Sequence, residues 1–442
     1  MRKLVILLII VFSFVQIKAQ KELLMSGPML GYSEMREVLI WVQTKQEAEV
    51  KFEYWKQGDN VKYFSETKRT SPIDGFTAKI KLSNLEPGTN YDYSLYINNK
   101  RINFNYPLKF QTQKLWQYRE EPPSVKIAMG SCAYINDSLY DRPGKPYGGE
   151  YKIFNSIYSK KPDIMLWLGD NIYYREVDWF SRSGMIYRNS HSRAIPELQP
   201  LLASVHHYAI WDDHDYGPNN SDRSFRNKNE ALDVFQLFWG NPTYGFYDEK
   251  CAVTMFKWAD IDFFLLDNRW FRSSNNRKFS EKEILGNKQI DWLINALTFS
   301  EARFKIIIIG GQVLNPVANY ENYSTFPEEQ SYLINSISKE NIKGVIFISG
   351  DRHFSELTSL PREGTYPLLD FTVSPLTSGP FTDACSKENN YLRVPGTCYD
   401  KRNFGMIEIT GKRTERTLKF LLFDTDGNRI WEKSYSDKDL GW

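Results

Sequence analysis

From about residue 125 onward, short apolar runs alternate with longer amphipathic ones. VKIAMGSC, DIMLWLGDN, HYAIWDDHD, FKIIIIGGQ and GVIFISGDRH each run apolar and then break at once into small or polar residues, the pattern of buried strands that end in a loop. Between them lie EYKIFNSIYSKK, EALDVFQLFW, KQIDWLINAL and EEQSYLINSI. Their apolar positions, Ile290, Leu293 and Leu297 among them, are spaced as on one face of a helix. Strand-then-helix units in succession predict an α/β core with buried strands. In such sheets, sites form beyond the carboxyl ends of the strands.

The preceding part has another texture. VLIWVQT, AEVKFEYW, FTAKIKL and YDYSLYI alternate or run apolar with β-branched and aromatic residues, and Asp74-Gly75 and Pro87-Gly88 punctuate them as turns. The run from Leu85 to Tyr91 resembles the approach to the tyrosine corner of fibronectin type III-like sandwiches. The expected organisation is a β-sandwich over 20–115, a linker over 116–124 and a catalytic α/β domain over 125–442. No cluster of catalytic residue types falls in the sandwich, so it reads as a structural or positioning module. Residues 1–19 open with Arg2-Lys3, continue with an apolar run from Leu4 to Val15 and end at Ala19. That is the anatomy of a signal peptide, with a retained anchor as the alternative. No cysteine follows the run and no later stretch is apolar enough to span a bilayer, so the mature chain is expected to be soluble, in the periplasm or secreted.

Composition narrows the class. Of 442 residues, 41% are hydrophobic and 25% charged, the usual globular mixture, which excludes disorder, collagen and a multi-span membrane protein. The formal charge is +2, and losing Arg2, Lys3 and Lys18 with the leader brings it within one unit of neutrality. There is no global electrostatic footprint for nucleic acid. The 15% aromatic content fits core packing, or a carbohydrate-stacking surface. Export permits disulfides, and Cys385 and Cys398, 13 apart in a Lys/Asn/Pro/Gly-rich loop, are the natural local pair. Cys251, in CAVTMFKW, reads as a buried small hydrophobe. Cys132 is left for another job.

The strand ends carry the chemistry. In order they read Ser131-Cys132, Gly169-Asp170-Asn171-Ile172-Tyr173, Trp211-Asp212-Asp213-His214-Asp215, Gly310-Gly311-Gln312 and Gly350-Asp351-Arg352-His353. Singly, each has a bland reading. An Asp after a strand is usually a helix cap, a buried Cys is packing, and Gln312 caps or turns. Together they bring thiol, phenol, carboxylates and imidazoles to one edge, a costly convergence without a cation. A polynuclear metal site in which one carboxylate bridges two ions answers that cost. His206 and His207 precede an apolar strand and read as structural or surface residues. Arg182, Arg188, His191 and Arg193 crowd a polar loop, either the rim of an anionic pocket or a solvated loop. Arg269 follows the strand IDFFLLDN and either buttresses the site or contacts substrate, and Asn219 and Asn220 shape the turn after WDDHD.

Taken in order, GSC, LGDNIYYR, WDDHDYGPNN, LLDNRWFR, GGQVLNP and SGDRHF, within residues 130–354, resemble the PhoD-like alkaline phosphatases, a branch of the calcineurin-type metallophosphoesterases. The resemblance implies a fibronectin III-like β-sandwich followed by an α/β metallophosphoesterase domain, an αββα sandwich. It implies metal ligands Cys132, Asp170, Tyr173, Asp213, Gln312, Asp351 and His353, with Asp170 bridging. His214 falls where related enzymes protonate the leaving group or stabilise the transition state, and Arg175 where a phosphoryl oxygen is held. Cysteine with tyrosine implies ferric iron, with calcium beside it. The implied activity is hydrolysis of phosphate monoesters, diesters or both by metal-activated water. Two other readings compete. A cysteine-nucleophile phosphatase needs an arginine six residues after the cysteine, and Ser138 stands there. An exported surface-binding protein would carry the same domain in degenerate form.

Overall fold

The structure, a computed structural model, describes residues 23–278 and 281–442; the leader expected over 1–19 lies outside them. The amino-terminal part is built from β1 (Leu24–Ser33), β2 (Glu37–Thr44), β3 (Glu49–Lys56), β4 (Tyr63–Phe64), β5 (Lys68–Arg69), β6 (Thr77–Ser83), β7 (Asn90–Ile97), β8 (Lys100–Arg101) and β9 (Lys109–Gln111). β6 alternates between buried and open positions toward its end, whereas β1 and β2 are buried along nearly their whole length. Val38, Ile40 and Val42 of β2 and Ile80 and Leu82 of β6 share a core with Val50, Phe52, Tyr93 and Leu95 of β3 and β7. The Tyr91 hydroxyl accepts the Glu86 N–H at 2.9 Å, the bond a corner tyrosine makes. Residues 116–124 are turn and coil, with Trp116 buried.

The remainder contains β10 (Val125–Gly130), β11 (Ile164–Leu168), β12 (His206–Ile210), β13 (Thr254–Trp258), β14 (Ile261–Leu265), β15 (Phe304–Ile308), β16 (Val345–Ser349), β17 (Glu356–Leu360), β18 (Leu368–Thr372), β19 (Asn403–Thr410), β20 (Thr417–Asp424) and β21 (Arg429–Ser436). Its helices are α1 (Lys152–Ser159), α2 (Arg182–Arg193), α3 (Gln199–Leu202), α4 (Asp213–Tyr216), α5 (Lys228–Phe238), α6 (Asn287–Phe299), α7 (Pro327–Lys339) and α8 (Ala384–Lys387). One sheet runs β21-β20-β19-β10-β11-β12-β1-β2-β6 and a second β13-β14-β15-β16-β18-β17. The central strands β10, β11 and β12 are parallel, as are β14, β15, β16 and β18.

Side-chain period sets the layers. Ile127, Met129, Leu166 and Ile210 point inward, against Phe263, Ile306 and Ile346 of the second sheet. Their neighbours Ala128, Met165, Trp167 and Ala209 point outward, onto Ile153, Met185 and Val234 of α1, α2 and α5. Helices α6 and α7 cover the far side through Leu293, Leu297, Leu333 and Ile337. Helices thus sandwich two face-packed sheets.

Three readings of the sequence are corrected. Residues 182–193 are not a polar loop but helix α2, started by Ser181, whose hydroxyl accepts the Gly184 N–H at 3.2 Å. Few apolar residues mark it, because its inward face is carried by Arg188 and Arg193, both buried. Second, His206 and His207 do not precede β12 but begin it, and both are buried. Third, the sandwich is not merely tethered to the core: β1 pairs in parallel with β12, Leu30 opposite His206. His206 Nδ1 lies 2.8 Å from the Gly31 carbonyl and Nε2 3.1 Å from that of Gln111. His207 Nδ1 accepts the Trp167 indole N–H at 2.9 Å, which leaves Nε2–H for the Leu201 carbonyl at 3.2 Å. Cys385 and Cys398 are joined as a disulfide, and Cys251 is buried and free. No helix among the described residues is long and apolar enough to cross a membrane.

Burial lowers His206 to about 4 and His207 to about 3 from an ordinary 6.5. Unfolding below pH 6.5 therefore takes up protons that the folded protein excludes, and stability falls as pH drops. The expected loss approaches on the order of 3 kcal/mol per ring near pH 4. Between pH 7 and 4.5 the urea midpoint of the wild type should fall relative to those of His206→Gln and His207→Gln.

Candidate metal centre

Each candidate residue stands where a buried strand stops. Cys132 follows β10, Asp170 and Tyr173 follow β11, Asp213 and His214 open α4 just after β12, and Asp351 and His353 follow β16. Cys132, Asp170, Asp351 and His353 have φ of +58°, +51°, +65° and +57°. A non-glycine residue in this left-handed region costs on the order of 1 kcal/mol or more. Four such residues at one site mean that the surrounding hydrogen bonds impose the turns. The Cys132 N–H donates to the Gly169 carbonyl at 3.3 Å, Ala133 N–H to Asp170 carbonyl at 2.8 Å, and His353 N–H to Ser374 Oγ at 2.9 Å. Gly169, at φ +90°, also has no room for a side chain: a Cβ there would lie 2.7 Å from that of Asp212.

The donor atoms fall into two groups. The ligand atoms of Cys132, Asp170 and His353 lie within 4.8 Å of one another, and so do those of Asp170, Asp213 and His214. Asp170 belongs to both. Its Oδ2 is 3.6 Å from Cys132 Sγ and accepts the Tyr173 hydroxyl at 3.2 Å, while Oδ1 accepts the His214 N–H at 3.3 Å. The Tyr173 hydroxyl is also 3.4 Å from His353 Nε2. The opposite ring nitrogen, Nδ1, is held by the Gly379 carbonyl and lies 3.3 Å from the Tyr147 hydroxyl. The Tyr173 and His214 rings lie 4.2 Å apart, centre to centre.

The electrostatics carry the mark of crowded like charge. Burial, then Asp213 and Cys132, push Asp170 well above the carboxylate range. Burial followed by Asp212 and Glu321 raises Asp351 to about 7, and burial with Asp351 raises the Cys132 thiol to about 12. Tyr173 is raised by burial and by Cys132. For Asp213 the upward push of burial is outweighed by His214 and Arg269, which hold it below the ordinary range. Asp212 Oδ2, Asn171 Oδ1 and Asn268 Oδ1 are buried oxygens without a donor. Thiol, phenol, carboxylates, imidazoles and unmet oxygens in one cleft are a donor set that fits metal cations.

Gln312 stands apart from this set. Its amide nitrogen donates to Glu356 Oε1 and Thr372 Oγ1, both at 2.9 Å, and its oxygen accepts from Arg352. Asp351 reaches the cluster through its carbonyl, 3.6 Å from Cys132 Sγ, and through its charge. Arg175 lies beside the cluster, its guanidinium carbon 5.9 Å from the Tyr173 ring centre. Arg269 is a buttress: wholly buried, it pairs with Asp212 and with Glu321. Asp212 Oδ1 also accepts from Asn268 Nδ2 at 2.8 Å, and the absence of a side chain on Gly310 lets that carboxylate in, since a Cβ would come within 2.4 Å of Oδ2. Glu321, Asn268, Tyr147 and Tyr134 escaped the sequence reading. Only Asn268, in a quoted strand-end segment, carried a signal that could have found it.

The sequence pattern of the PhoD-like phosphatases matches residues 127–420. The chain belongs to the PhoD-like phosphatase family. The part before it, residues 21–115, matches a domain of unknown function, DUF7800. A curated relative, alkaline phosphatase D of Bacillus subtilis (strain 168), is 22% identical over an alignment of 365 residues that covers 69% of this chain and 61% of that protein. The chain thus spans about three fifths of that relative's length. Among solved structures, that of PhoD superposes with a TM-score of 0.77 at 17% identity, covering 95% of this chain and 91% of the other. Purple acid phosphatase PPD1 from yellow lupin follows at 0.64 and 11% identity, covering 93% and 75%. The likeness to both establishes a metallophosphoesterase-like α/β fold.

Two outcomes follow from the charges. Raised Asp170, Asp212 and Asp351 hold protons in the metal-free folded protein that the unfolded chain releases above about pH 4, so the contribution of these carboxylates to metal-free stability falls as pH rises toward 7. The gain in Tm on adding metal to chelator-treated protein should therefore widen from pH 5 to pH 8, by calorimetry. Arg269→Met should leave Asp212 buried without an ion-pair partner and Glu321 with Arg272 alone, costing about 3–5 kcal/mol in chemical denaturation.

Proposed function

We propose that the protein is an exported metal-dependent phosphoesterase that hydrolyses phosphate monoesters, diesters or both by attack of an activated water. The observation that carries this reading is that Asp170 lies within ligand distance of two donor groups, as a carboxylate shared between two ions must. The group containing Cys132, with Tyr173 beside it, offers a thiolate and a phenolate, which suit ferric iron. The carboxylates of Asp213 and Asp351 suit calcium. Bound there, the metal pair would supply hydroxide from water near neutrality and offset charge on the phosphoryl oxygens.

The chain's own residues do the rest. Asp170 fixes the spacing of the two groups. His353 is oriented through Nδ1, leaving Nε2 toward the Tyr173 hydroxyl. His214 is partly exposed at the mouth and is placed to give a proton to the departing oxygen. Arg175 offers its fork to the equatorial oxygens, a geometry that matches phosphate better than lysine does. A contact made only in the transition state is worth about 2–4 kcal/mol. Gln312 has no part in this scheme. The Tyr91 corner bond supports reading the amino-terminal module as fibronectin III-like, and the leader supports export.

Asp170→Asn should lower kcat/KM for p-nitrophenyl phosphate by about three orders of magnitude with the circular dichroism unchanged. Elemental analysis should find iron with calcium, and Tyr173→Phe should remove a visible absorption band. Full activity in Asp170→Asn would defeat the bridging role, and an active, iron-free, colourless protein would defeat the metal assignment.

A further inference from the structure

Arg175 is 8% exposed and is gripped from two sides. Its Nε donates to the Tyr134 hydroxyl at 3.0 Å, and its guanidinium carbon lies 4.8 Å over the Tyr134 ring. Guanidinium carries five N–H donors. Among the described residues neither terminal nitrogen meets a protein acceptor, and neither is sealed off without one.

The hydrogen-bond direction behind this contact is determined. The Tyr134 hydroxyl donates to Asp141 Oδ1 at 2.6 Å, and Asp141 Oδ2 accepts the Asp137 N–H at 2.7 Å. A phenol has one proton. Given to Asp141, it leaves only lone pairs for Arg175, and Nε is the guanidinium nitrogen that takes one. The main chain is fixed by the same buried cation. The Arg175 N–H donates to Asp178 Oδ2 at 2.8 Å, and that oxygen also accepts Arg188 Nε at 2.8 Å. Arg188 Nη1 in turn lies 3.3 Å from Asp137 Oδ2 and 4.0 Å from Asp141 Oδ1.

We propose that Tyr134 and Asp141 are positioning residues that hold the Arg175 guanidinium with its two terminal nitrogens free for a phosphoryl group. This rests on the reading of Arg175 as the phosphoryl-binding residue. A free arginine side chain has rotamer entropy to lose on binding. Ordering it before the ligand arrives removes that cost from binding.

The test is a double-mutant cycle on the metal-loaded protein. It reads the Kd of inorganic phosphate by titration calorimetry, with kcat and KM for p-nitrophenyl phosphate and metal content alongside. Tyr134→Phe keeps the ring and removes the hydroxyl; Asp141→Asn is a second route to the same loss. Each should weaken phosphate by up to about tenfold, raise KM more than it lowers kcat, and leave metal content unchanged. In an Arg175→Ala background Tyr134→Phe should add nothing. The proposal is overturned if Tyr134→Phe costs the same in that background, or leaves phosphate affinity intact while Arg175→Ala lowers it. If Arg175→Ala itself leaves phosphate affinity unchanged, the parent reading of Arg175 fails, and this one with it.

Discussion

Asp170 sits within ligand distance of two donor groups, and most of the catalytic half is arranged around the repulsion that this produces. Buried carboxylates repel one another and a neighbouring thiol, and water is too scarce there to screen them. The protein answers part of that charge itself. Arg269 pairs with Asp212 and Glu321, and backbone N–H groups of His214 and Asn220 are spent on Asp170 and Asp213. The rest is left for cations. The left-handed turns at Cys132, Asp170, Asp351 and His353 belong to the same account: they aim side chains inward at positions where an extended backbone would aim them elsewhere.

The two-sheet core makes such turns affordable. Parallel strands bring their carboxyl ends to one edge, and Cys132, Asp170, Tyr173, Asp213, His214, Asp351 and His353 stand two to five positions beyond strands whose side chains, Lys126 apart, are buried. A rigid strand ahead of each turn transmits no slack to it. The lupin purple acid phosphatase shares this frame at 11% identity, which is what a fold defined by layers and strand ends allows: the frame persists while its side chains change.

Much of this was legible in the chain itself. Strand runs ending in Cys, Asp, His and Arg marked the edge where the site forms, and the four amphipathic segments became α1, α5, α6 and α7. What stayed hidden shares a physical cause. Helix α2 buries arginines rather than leucines, so apolar spacing could not reveal it. Gln312 follows a strand as the ligands do, but local sequence does not say that Glu356 and Thr372 will take its amide. Tyr134 and Asp141 lie in an irregular segment, and the role of the pair exists only through Arg175, 41 residues beyond Tyr134. The pairing of β1 with β12 is likewise invisible to any local pattern.

That last pairing has a consequence for how the chain comes into being. Strand Leu24–Ser33 finds its parallel neighbour only when His206–Ile210 has been made. Until then its outer edge is an open row of donors and acceptors, the kind of surface that recruits other chains. A protein built this way gains from staying unfolded until synthesis is well advanced, and its first hundred residues are not a part that could be cut out and grafted onto another enzyme with both edges intact.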